Sequence, residues 1–146
     1  TRVLTAALPE KNILFAFALS AGHREADRVV SIDLKKLRGD TAYLNRLLDA
    51  NIEGYRAIRN AGHAILPKGD ADFEGEKYRK ICLRFFKLMC ATSLGKLCAS
   101  DHAMNAIDEM SALNRDLRKF FDENGAAYPV WQALEAEAGR YLKGSM

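Results

Sequence analysis

The chemistry this 146-residue chain could perform rests on a few polar side chains near one stretch. Ser100, Asp101 and His102 stand together where a helix is expected to open. Asp108 and Glu109 follow near the middle of that helix. Met110, Leu113 and Leu117 form its apolar stripe, and Glu109 precedes Met110 by one residue, about 100° around the helix. A carboxylate at the edge of such a stripe is either a solvated flank residue or an acid beside a pocket. The pattern leaves both readings open.

Other chemistries find no support. The three histidines, His23, His63 and His102, fall in separate segments, whereas a metal site needs clustered ligands. Cys82, Cys90 and Cys98 lack CxxC spacing, and on a helix each eight-residue step turns the face by roughly 80°. They read as small buried hydrophobes in a reducing cytoplasm. There is no GxGxxG after a strand, no phosphate loop and no HExxH pair. Gly95-Lys96 sits inside a helical pattern without the upstream glycine.

Composition narrows the class. Apolar residues make up 49% and charged residues 28%, which suits one globular domain and excludes a disordered chain. The net charge is only +3, with acids interleaved among the bases, so nucleic-acid binding is not expected. The longest apolar run, Ile13 to Leu19, is too short to span a bilayer, and no signal-peptide layout opens the chain. No membrane association is expected.

The elements that must position these residues are mainly helical. Asn12 to Ala18 and Arg28 to Leu34 suit strands, joined through a turn at Ser20 to His23. Two strands are not stable alone, which marks them as a remnant of a larger sheet. From Asp40, a plausible N-cap, Leu44, Leu47, Leu48, Ile52, Tyr55 and Ile58 form one stripe, closed by Gly62. A loop from Leu66 to Gly75 leads to a second helix, from about Glu74 to Leu97. Its apolar residues wrap more than half the circumference, so it is expected to be central. A third helix should run from Ser100 or Asp101 to Asn124, with Gly125 closing it. Pro129 should open a fourth. Short connections favour antiparallel neighbours.

The stretch DEMSALNRDLRKFFDENGAAYPVWQAL, Asp108 to Leu134, resembles the C-terminal signature of the ketopantoate reductase (2-dehydropantoate 2-reductase) family. The matching positions are Glu109, Met110, Leu113, Asn114, Gly125 and Pro129, in that order. The helix from Asp40 to Gly62 and the strand-turn from Ile13 to Gly22 also resemble parts of that family. The resemblance implies a portion of an NADP-dependent oxidoreductase that reduces a 2-keto acid by hydride transfer. Residues 1–36 would be a sheet remnant of the nucleotide-binding domain. Residues 40–146 would be an antiparallel helical bundle resembling the 6-phosphogluconate-dehydrogenase-type C-terminal domain, forming the substrate cleft and a homodimer. It gives Glu109 the catalytic position and places Asp101, Ser100, His102 and Asn114 around the keto-acid substrate. The glycine fingerprint is missing, and Ala21 stands before Gly22 where the family has Asn. Between Ile32 and Asp40 no room is expected for the long helix that carries the family's lysine, so neither Lys35 nor Lys36 takes that role. The alternative is a non-enzymatic helical module for dimerisation or binding.

Overall fold

A computed structural model describes residues 24–25, 28–29, 34–66, 68–93 and 107–139. Among these the protein is mainly helical. Two short strands, β1 (Arg24–Glu25) and β2 (Arg28–Val29), pair antiparallel, with Arg24 opposite Val29. Helices α1 (Leu34–Gly39), α2 (Thr41–Asn60), α3 (Glu76–Ala91), α4 (Ile107–Glu123) and α5 (Pro129–Gly139) follow. A single 3-10 turn, Lys68–Asp70, lies between α2 and α3.

The N-terminal expectations are met only in part. Asn12 to Ala18 lies outside the described residues. The strand expected over Arg28 to Leu34 is extended and paired at Arg28–Val29, but Leu34 already belongs to α1. Between Ile32 and Asp40 only the six-residue α1 forms, and it is not the long helix for which no room was expected. Leu37 of α1 is buried in the same core as α2, so α1 spans the boundary expected between residues 36 and 40.

Helix ends follow local chemistry. Asp40 caps α2, its Oδ1 accepting from the Tyr43 backbone N–H at 2.9 Å. At the other end the His63 N–H reaches Ile58 O (3.2 Å) and the Gly62 N–H reaches Arg59 O (3.0 Å). This paired closure needs a left-handed residue, and Gly62 has φ +87°. α4 ends the same way. Ala126 N–H bonds Phe121 O, Gly125 N–H bonds Asp122 O, and Gly125 has φ +61°. Four residues after Gly125, Pro129 begins α5, where its missing N–H costs nothing.

α2 is the hub. It packs against α1, α3 and α5, and its buried residues cover more than half of its circumference. Leu44, Leu48 and Ile58 are almost fully enclosed. Phe73, from the connection before α3, and Phe121, Trp131 and Leu134, from α4 and α5, complete the centre. Small residues Ala50, Gly54 and Ala57 let neighbours approach α2 closely.

The expectation that the second helix is central is therefore corrected. α3 runs from Glu76 to Ala91, and none of its residues is buried. It lies on the outside, with only Tyr78, Leu83, Phe86 and Cys90 resting partly on the core. The Tyr55 and Phe73 rings, 5.4 Å apart, belong to the layer beneath it.

Candidate functional site

Of the residues that the resemblance places at the site, only Asn114 has a described side chain. Ser100, Asp101 and His102 lie outside the described residues. Glu109 stands in the first turn of the described part of α4; its side chain also falls outside the description. Asn114 is described, and it is enclosed. Its Oδ1 accepts from Trp131 Nε1 at 3.1 Å, and its Nδ2 donates to Glu135. Both ends of the amide thus join α4 to α5. Arg118 Nε lies 3.5 Å from Glu135 and extends the same network.

Glu53 is a second buried polar residue, and sequence reading passed over it. Its two carboxylate oxygens accept from the backbone N–H groups of Val130 and Trp131, each at 2.8 Å. These donors open α5, so one side chain of α2 caps a helix 77 residues away. Burial pushes the Glu53 carboxyl above its ordinary value, and the two N–H donors oppose that shift. A charged residue inside an apolar stripe was the available signal. Nothing local reveals its distant partner.

One open cleft, of about 350 Å³, is lined by Asp49, Glu53, Arg56, Glu74, Arg79 and Val130, among others. Arg79 pairs with Asp49 at 2.6 Å, while Arg56 and Arg59 both clasp Glu74. The two guanidinium groups hold the Glu74 carboxyl below its ordinary value. Asp49 and Glu74 are thus matched by guanidinium groups, while Glu53 is held by two backbone N–H groups. Burial pushes the Cys82 and Cys90 thiols up, away from thiolate chemistry. Among the described residues no cluster of His, Cys, Asp or Glu could hold a metal ion.

Carboxylates stand at three of the described helix starts, those of α2, α5 and α3. A pyrophosphate needs free N–H groups at a helix N-terminus. Asp40 already occupies that place on α2, and Glu53 occupies it on α5. At the start of α3 the Asp72 carboxylate crowds Gly75 and leaves no room for a Cβ there. Each start presents negative charge to an incoming phosphate.

The outer face of α3 is different in kind. Ile81, Phe85 and Leu88 are 55%, 54% and 62% exposed. They repeat at four- and three-residue steps, and half-buried Tyr78 continues the same line toward the helix start. Along one side of this seam run Lys77 and Arg84, with Lys80 and Lys87 behind them. Lys87 donates to Thr41 Oγ1 at 2.8 Å, and Lys80 lies 3.9 Å from Glu76. On the other side stand Cys82 and Met89, both partly buried. α1, which packs on α3, adds Lys35, Lys36 and Arg38. Together the two helices carry eight basic residues against one acid, although the whole chain is nearly balanced.

No helix among the described residues is long and apolar enough to cross a membrane. No known family model, curated protein or solved structure matches the chain.

Proposed function

We propose that the chain is a non-enzymatic helical binding module that works through the outer face of α3. The observation that carries this is the exposed seam of Ile81, Phe85 and Leu88 on a helix whose other face rests on the core. Large apolar side chains scattered singly need no explanation. A line of them at heptad spacing, edged with bases, is an interaction surface. The mixed-charge clefts and capped helix starts support the same reading.

This assignment has a direct test in folding stability. Changing Ile81 and Leu88 together to serine should shift the unfolding free energy by less than about 1 kcal/mol, because both side chains already face water. Urea unfolding followed by circular dichroism measures it. A loss of several kcal/mol, the usual cost of emptying core positions, would mean that the chain itself covers this face, and the module reading would fall.

A second reading keeps the reductase. The chain would then be the helical substrate-cleft and dimerisation part of a larger NADP-dependent, ketopantoate-reductase-like enzyme, with Glu109 as its acid toward a 2-keto acid. What favours it is the end of the motif. Gly125 closes α4 in the left-handed conformation and Pro129 opens α5, as the resemblance requires. For this 146-residue chain, titration with NADPH should give no binding in the micromolar range. Saturable micromolar binding by fluorescence would favour the reductase over the module.

A further inference from the structure

We propose that the α3 seam receives an acidic amphipathic helix from another protein. The inference rests on the module reading and names the partner's chemistry.

The seam has the geometry of one strand of a coiled coil. Tyr78, Ile81, Phe85 and Leu88 alternate at three- and four-residue steps, which are the a and d positions of a heptad. In that register Lys77 and Arg84 fall at g, beside the apolar line, while Cys82 and Met89 fall at e. Both basic residues are exposed, and among the described residues neither has an ion-pair partner. Charged g positions choose the partner of a coiled coil by complementarity. Two lysine- or arginine-bearing positions on one flank, reinforced by Lys80 behind them, select glutamate or aspartate on the opposing helix.

The same register disfavours a second copy of this chain. Antiparallel pairing of two α3 helices would set Lys77 and Arg84 of one against the same residues of the other. Parallel pairing would set them beside Cys82 and Met89, where they gain nothing. It also disfavours a lipid surface. A helix lying in a bilayer interface extends bases along a broad polar face and buries a wide apolar one. Here Lys77, Lys80, Arg84 and Lys87 of α3 lie on one flank of the seam, and three exposed apolar side chains span two turns, about 10 Å. A neighbouring helix with an acidic flank matches both the width and the one-sided charge.

The test uses the full chain and two synthetic three-heptad peptides. Both carry leucine along the seam. One carries glutamate at the flanking positions and the other lysine. Fluorescence anisotropy should show the glutamate peptide binding at least about tenfold more tightly at low salt, with the preference shrinking at high salt. The double variant K77E/R84E should invert the preference, and L88S should weaken both interactions without altering the circular dichroism spectrum. Equal affinity for the two peptides, a lysine preference or no binding would overturn the acidic-helix partner. So would self-association by sedimentation that L88S removes, or flotation with phosphatidylserine vesicles in place of peptide binding. The module reading fails separately, if the I81S/L88S double variant loses folding stability. A stable I81S/L88S variant beside an indifferent glutamate peptide would reject only this inference.

Discussion

Replacing Trp131 by alanine should cost about 3–5 kcal/mol of folding free energy, the range for removing an enclosed aromatic side chain. Trp131 has no exposed surface, and its indole meets the Phe121 ring edge-on, with centroids 5.9 Å apart. Phe121 stacks in turn on Tyr128 at 4.6 Å, so this cluster joins the end of α4 to the start of α5. The substitution also leaves Asn114 Oδ1 without its indole donor, a further loss on the order of 1 kcal/mol. For a chain of this size the melting temperature should fall by roughly 10 °C or more. Trp131 is the single tryptophan, so circular dichroism or calorimetry must follow the transition. Trp131→Phe separates the two contributions. It keeps much of the volume and loses the hydrogen bond, and should cost clearly less than alanine. Near-wild-type stability of W131A would mean that α5 does not dock as described.

Glu53→Ala should lower stability by about 2–4 kcal/mol. The carboxylate accepts two backbone N–H groups at 2.8 Å, and hydrogen bonds to a charged group are each worth about 1.5–3 kcal/mol. Solvation of the freed N–H groups at the first turn of α5 recovers part of that. Glu53→Gln retains one acceptor and should fall between wild type and alanine. The pH dependence has a defined sign. Burial raises the Glu53 pKa in the folded state, so the folded chain binds this proton more readily than the unfolded one. Its contribution is greatest below the unfolded pKa and declines as pH rises through the folded value. Glu74 runs the other way. Arg59 and Arg56 lower its folded pKa, so its contribution is present above the ordinary carboxylate range and is lost on acidification. Comparing unfolding free energies of wild type and E53Q across mildly acidic to neutral pH isolates the Glu53 slope. A difference that grows in the opposite direction would show that the two N–H bonds, and not burial, dominate at this carboxyl.

Helix boundaries depend on neighbours in the chain, and four of them were legible. Asp40, Gly62, Gly125 and Pro129 each do what their residue type does at a helix end. A cap is satisfied within three or four residues, so its partner is written beside it. The apolar stripe of α2 was legible for the same reason. Which helix sits at the centre was not. α3 has the more conspicuous aromatic and aliphatic residues, yet it lies outside, and α2 holds the middle with Ala50, Gly54, Ala57, Asn51 and Glu53 among its enclosed positions. Periodicity says which face of a helix is apolar, but not how many neighbours compete to cover it. Small residues on α2 admit partners closely, and that advantage exists only once the partners are in place.

The candidate sites divide along the same line. Asn114 was picked out by sequence as a polar residue in a motif, and its spacing from Leu113 and Leu117 could be read directly. That Trp131 and Glu135 use both ends of its amide required α5 to fold back on α4. Glu53 was marked only as a charge inside the apolar stripe of α2, and its partners, 77 and 78 residues away, were not legible. The heptad of Tyr78, Ile81, Phe85 and Leu88 and its basic flank were present in the order of residues. Only tertiary packing decided that this face stays open, since α3 spends Leu83, Phe86 and Cys90 on the core and has no helix of its own left to cover the opposite side among the described residues. Sequence determined the local signals, which act over one or two turns. The tertiary structure decided burial, which depends on every element that packs nearby.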